Sequence, residues 1–160
     1  MNKNRKSRTA YLAIGSNLGD LKENLDNVIQ ELKKLKNSKF IKSSGYLSNS
    51  AYGVEDQPDF LNGMVQIETE LEPRELLKQI KAIEVKLGRT ETYRWGPRLI
   101  DIDIIMMDDL VYSDELLEIP HGDMENRDFV LIPFAEIAPD VVHPVLGISI
   151  ADLENRLRNR

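Results

Sequence analysis

Behind Asp20 the apolar residues Leu21, Leu25, Val28, Ile29, Leu32 and Leu35 recur with a 3.6-residue period, so this stretch predicts an amphipathic helix opened by that aspartate. A second helix is predicted from Pro73, a residue suited to the first helical position. It continues through Leu76, Leu77, Ile80, Ile83 and Leu87, with Gly88 placed to stop it. Around these helices the period changes to two. Residues 9–14 read as a strand closed by Gly15-Ser16-Asn17, residues 40–47 as a second, and Leu61, Gly63, Val65 and Ile67 mark a third. Residues 48–59 are polar and contain Gly53 and Pro58, which predicts a loop. A fourth strand begins just after Arg98. The resulting order, β-α-β-β-α-β, is the split βαβ arrangement of ferredoxin-like folds. It predicts an α+β protein with an antiparallel sheet and helices packed on it. A C-terminal extension follows, with a short hairpin at residues 111–117, a helix at 129–136 and a last helix capped by Ser149.

The fourth strand is where the pattern acquires chemistry. In Leu99-Ile100-Asp101-Ile102-Asp103-Ile104-Ile105, alternation sends the isoleucines at 100, 102 and 104 one way and Asp101 and Asp103 the other. Two carboxylates on one face, about 6.5 Å apart along the strand, repel each other. Either they lie on a solvated face or they share a divalent cation, since Mg²⁺ chooses carboxylate oxygens and keeps positions open for phosphate. Arg94, Arg98 and the only tryptophan, Trp95, stand immediately upstream. That combination suggests a metal-bound polyphosphate beside a flat, stackable ring.

Composition narrows the alternatives. The chain of 160 residues has no cysteine and only two histidines, His121 and His143, which excludes thiolate chemistry and disfavours a histidine-rich zinc site. The net charge of −6 argues against a general nucleic-acid binder. Lys3, Arg5, Lys6 and Arg8 concentrate positive charge in residues 1–8, read as a disordered basic tail, and the rest is more acidic still. Residues 9–160 are expected to form a single domain, as no linker or low-complexity tract divides them. With no signal-like or membrane-spanning run, the expected compartment is the cytoplasm.

Four blocks, in order along the chain, resemble the 6-hydroxymethyl-7,8-dihydropterin pyrophosphokinase family. They are Ala13 to Asp20; Asp56 to Asn62; Leu87-Gly88-Arg89 followed by Arg94 to Ile105; and Ile119-Pro120-His121 with Asn126, Arg127 and Phe129. The resemblance implies a ferredoxin-like fold and transfer of pyrophosphate from ATP to a pterin alcohol, releasing AMP, in folate synthesis. It further implies two Mg²⁺ ions held by Asp101 and Asp103, and Arg89 and Arg98 as catalytic arginines of a loop that closes over ATP. Glu84, Arg94, Arg98, Ile104, His121 and Arg127 would contact ATP. Asn49, Tyr52, Phe60, Asn62, Trp95 and Phe129 would form the pterin site. There Asn62 would read the amide edge of the ring, and Trp95 and Phe129 would cover it. His143 matches nothing in the pattern and is read as structural.

The chain departs from the family's usual pattern at Asn49-Ser50-Ala51, at Phe60 and Gly122 where tyrosine occurs, and at Leu116 where arginine occurs. The substrates expected are ATP and the pterin, acting on a monomer without nucleic-acid or membrane partners. Two other readings stay open at this point. One is a different magnesium-dependent phosphoryl-transfer enzyme, such as a kinase that yields ADP. The other is a binding module for pterin or nucleotide without turnover.

Overall fold

The computed structural model describes residues 5–49, 59–88 and 99–160. Its elements run β1 (Arg8–Ser16), α1 (Leu21–Leu32), β2 (Ser38–Ser43), β3 (Leu47–Asn49), β4 (Phe60–Thr69), α2 (Pro73–Lys86) and β5 (Asp101–Met107). Then come β6 (Tyr112–Ser113), β7 (Glu118–Ile119), a single 3-10 turn (Met124–Asn126), α3 (Asp128–Ile137) and α4 (Ile150–Arg158). The main sheet is ordered β2-β4-β1-β5, every pair antiparallel, and β3 follows β2 along the same edge of β4. This is the ferredoxin-like order expected from the alternation of periods.

Local chemistry starts and stops the helices as the pattern predicts. The Asp20 carboxylate accepts the Glu23 amide at 3.1 Å, satisfying one of the free N–H groups of the first turn of α1. Pro73 opens α2, and the amide of Glu72 before it donates to the Glu75 carboxylate at 3.0 Å. Gly88, at φ +92°, takes the left-handed conformation that ends α2. Ser149 caps α4 by accepting the Asp152 amide at 3.1 Å.

The sheet separates two cores. Leu12, Ile14, Val65, Ile67, Ile102 and Ile104 face α1 and α2, meeting Leu25, Val28, Leu76 and Ile80. On the other side Tyr11, Met64, Ile105 and Met106 meet Val130, Leu131 and Phe134 of α3 and Ile150 and Leu153 of α4. A register shift between Tyr11 and Leu12 leaves one extra residue, Ile105, in β5. This β-bulge lets the strand keep its apolar residues on both sides.

Two expectations need correction. Residues 40–47 are not one strand. The Ser44 amide still donates to the Met64 carbonyl at 2.9 Å. The Ser44 hydroxyl, however, accepts the Met64 amide at 2.9 Å and the Glu136 carboxylate accepts the Gly45 amide at 3.2 Å, so side chains interrupt the ladder between β2 and β3. Nor is the end of the N-terminal segment a free tail. Arg8 begins β1 and pairs with Glu72 at 3.3 Å, and Arg5 pairs with Glu75. The acidic start of α2 draws both arginines in.

Candidate active site

The register of the sheet sets out the site. Gly15 of β1 stands opposite Asn62 of β4 and opposite Asp101 of β5. One step inward, Ala13 stands opposite Met64 and Asp103. Directly opposed residues in antiparallel strands share a face, so Asn62, Gly15 and Asp101 form one row and Asp103 the next. Both acids are half-buried, whereas Ile102 and Ile104 between and beside them are buried in the first core. Asn62 is 7% exposed. A Cβ on Gly15 would lie 3.0 Å from the Asn62 side-chain oxygen, so the carboxamide is seated over bare backbone that only glycine leaves open.

β5 is an edge strand, and its outer side borders a cavity of about 610 Å³. Ile102, Asp103 and Ile104 line it from the strand, Leu77 and Lys81 from α2, Leu116, Leu117 and Glu118 from the hairpin, and His121, Gly122 and Asp123 from the turn that follows. Asp103 thus stands at the cavity while Asp101 stands in the row with Asn62.

Glu84 has a precise position that its helical spacing does not reveal. It is 1% exposed, accepts the Ile102 amide at 2.9 Å and pairs with Lys81 at 3.2 Å. It therefore ties α2 to the residue between the two aspartates. Asn24, which sequence reasoning passed over, has a similar task. Its carboxamide donates to the Ser16 hydroxyl at 3.0 Å, the Leu18 carbonyl at 2.8 Å and the Leu99 carbonyl at 3.4 Å, joining the end of β1 to the start of β5. The only signal was a carboxamide beside the apolar stripe of α1.

His121 follows Pro120, and its backbone amide donates to the Ile105 carbonyl at 2.9 Å. Its Nδ1 accepts the Asp123 amide at 3.4 Å, which places the ring proton on Nε2. Burial, and then the Arg127 charge, hold the imidazole below its usual pKa, so it is a neutral donor at pH 7. Arg127 pairs with Asp123 at 3.4 Å and lies 5.8 Å from the centre of the Phe129 ring. Phe129, in the first turn of α3, is half-buried and packs on the second core. Phe60 is half-buried at the start of β4, opposite the backbone of Asn49. At Gly122 a side chain would meet the Glu118 carboxylate, which would have to swing aside. Tyr52, Arg89, Arg94, Trp95 and Arg98 lie outside the described residues.

Among the described residues no cluster of three or more histidines or carboxylates offers a closed metal cage. The two aspartates supply hard oxygen donors, the kind that suit Mg²⁺ bound jointly with phosphate.

The frame is that of a known class. The chain superposes on Plasmodium falciparum HPPK-DHPS with a TM-score of 0.81 at 16% identity, over 99% of this chain and 47% of that one, which establishes the fold. The family model described as 7,8-dihydro-6-hydroxymethylpterin-pyrophosphokinase matches residues 11–139. The chain is 41% identical over 136 residues to the 2-amino-4-hydroxy-6-hydroxymethyldihydropteridine pyrophosphokinase of Haemophilus influenzae, covering 85% of each. It is 42% identical over 153 residues to the enzyme of the same name from Aquifex aeolicus, covering 94% of each. A folic acid synthesis protein of Dictyostelium discoideum is 42% identical, but this chain spans 24% of its length. The chain belongs to the 7,8-dihydro-6-hydroxymethylpterin-pyrophosphokinase family, ATP-dependent transferases of folate biosynthesis. No helix among the described residues is long and apolar enough to cross a membrane.

Proposed function

We propose that this chain moves pyrophosphate from ATP to the hydroxymethyl oxygen of 6-hydroxymethyl-7,8-dihydropterin with Asp101 and Asp103 at the centre of the reaction. The observation that supports this reading is the placement of the acids on adjoining rows of the sheet. One shares a row with the buried carboxamide of Asn62, and the other borders the cavity under α2.

Asn62 offers both a donor and an acceptor to the amide edge of the pterin, and Phe129 one face for its ring. Phe60, Asn49, Tyr52 and Trp95 complete that pocket. ATP takes the cavity, with Ile104 on the nucleoside side and Glu84 behind it, holding the Ile102 amide rather than lining the cavity. His121 and Arg127 donate to phosphate oxygens, His121 through its Nε2–H. Asp101 and Asp103 hold Mg²⁺, two ions in the full complex, which supplies charge neutralisation across the triphosphate. The pterin oxygen forms a bond to the β-phosphorus while the bond from that phosphorus to the α–β bridging oxygen breaks. AMP leaves with the bridging oxygen, and the hydroxyl proton passes to solvent. Such a transfer depends on in-line positioning and dispersed charge, and Arg89, Arg94 and Arg98 spread over the oxygens to provide it. The enzyme acts as a monomer in the cytoplasm, with no nucleic-acid partner.

Chromatography of the nucleotides formed from ATP, Mg²⁺ and the pterin tests the reaction. AMP in step with pterin consumption is expected, whereas ADP would replace this reading with γ-phosphoryl transfer. Asp101→Ala and Asp103→Ala should each lower kcat by about 100-fold or more with an unchanged circular dichroism spectrum. Near-normal turnover in both variants would remove the acids from the centre.

A further inference from the structure

We propose that Arg74, Tyr112 and Asp114 form a positioning clamp that sets the width of the nucleotide cavity and thereby the affinity for ATP. This rests on the reading that ATP occupies the cavity between α2, β5 and the β6–β7 hairpin.

Asp114 opens the hairpin turn, and its two oxygens have separate tasks. Oδ1 accepts the amides of Leu116 and Leu117 at 2.8 and 2.9 Å, and the Asp114 amide donates back to the Leu117 carbonyl at 2.9 Å. Oδ2 accepts Arg74 of α2 at 2.8 Å and the Tyr112 hydroxyl. One oxygen therefore shapes the turn and the other fastens that turn to a helix.

The residues joined in this way belong to the two opposing walls. Arg74, Leu77 and Lys81 recur at i, i+3 and i+7, which puts them on one face of α2. Leu77 and Lys81 line the cavity. Across it, the two leucines whose amides Asp114 holds are cavity-lining residues as well. The hairpin has only two paired residues per strand, a ladder too short to hold its own position. Leu116 remains 63% exposed, an apolar surface that a heterocycle could cover.

The clamp is a permanent ion pair. The Tyr112 hydroxyl, then Arg74 and the Leu116 amide, hold the Asp114 carboxyl well below the usual carboxylate range, and Asp114 raises Arg74 in turn. Arg74 thus joins α2 to the hairpin turn through Asp114. These are positioning residues, acting through the leucines of the hairpin.

Three variants test the clamp: Arg74→Met, which keeps the aliphatic stem, Asp114→Asn and Tyr112→Phe. Steady-state kinetics are read beside calorimetric titration with a non-hydrolysable ATP analogue and Mg²⁺. For Arg74→Met and Asp114→Asn, KM for ATP and Kd for the analogue should rise about three- to tenfold, with kcat and KM for pterin within about twofold. Tyr112→Phe should give a smaller rise in the same constants. The double variant Arg74→Met with Asp114→Asn should be no worse than the weaker single one, because both remove the same link. Arg74→Lys should restore part of the loss.

Folded variants with an unchanged KM for ATP would overturn the clamp, as would a loss spread equally over kcat and both KM values. Leu117→Trp, which fills the cavity, separates the two levels of the inference. If it weakens analogue binding while the clamp variants do not, the clamp falls and the nucleotide site stands. If it leaves analogue binding intact, the placement of ATP falls and the clamp with it.

Discussion

Single residues show where sequence and structure part company. Asp101 and Asp103 stand out in the sequence because a period-two alternation isolates them among isoleucines. Gly15 does not, because its significance lies in what stands opposite it on two other strands. Gly15→Ala would bring a methyl group to 3.0 Å from the Asn62 oxygen, and Asn62 is too buried to move freely. This change should raise KM for the pterin about tenfold or more and leave KM for ATP unchanged, as steady-state kinetics with each substrate varied would show. A parallel rise in both constants would remove this role from Gly15. His143 gives a prediction of another kind. It is 4% exposed, and its Nδ1 accepts the amides of Val145 and Leu146 at 3.2 and 3.1 Å. Burial lowers its pKa from the ordinary 6.5, against a smaller opposing effect of Glu125. In the window just below pH 6.5 the unfolded chain binds the proton more readily than the folded one, so this contribution is complete above that window and lost as pH falls through it. Urea unfolding midpoints measured from pH 7.5 to 5 should therefore fall more steeply in the wild type than in His143→Asn. Parallel curves would contradict the assignment.

At the scale of elements, the helix boundaries were legible because caps are local. Asp20, Pro73, Gly88 and Ser149 each act within a few residues of their own position. The break between β2 and β3 was not legible, since it depends on Ser44 and Glu136 bonding to backbone brought close by folding. The same holds for Glu84. Its place on α2 is visible in the sequence, but its bond to the Ile102 amide appears only when α2 lies along the outer side of β5. Glu84→Ala would leave that amide without this acceptor and should cost about 1–3 kcal/mol in denaturant unfolding. Glu84→Gln, which keeps an acceptor oxygen, should cost less. An equal loss in the two variants would show that the link from α2 to β5 does not run through this bond.

At the scale of the whole molecule, one sheet serves two cores, and α1 with α2 never needs to touch α3 with α4 for both to be anchored. Ile80 and Phe134 are fully buried, one on each side. Ile80→Ala and Phe134→Ala should each destabilise the protein by about 2–5 kcal/mol. Both should shift a single unfolding transition, seen at the same midpoint by fluorescence and circular dichroism. Two separated transitions would mean that the faces unfold independently. The strand order was readable from alternation, because a helix between paired strands restricts the possible connections. The shape of the cavity was not, for its walls come from α2, β5 and a hairpin held by Asp114. The pairing of β5 with β1 has one more consequence. A slip of one residue would turn Asp101 and Asp103 into the first core and drive Ile102 and Ile104 out of it. With isoleucine at both acid positions the strand would be apolar on either face and would lose much of that discrimination. The groups assigned to the chemistry therefore also proofread assembly, penalising a misaligned edge strand before any substrate arrives.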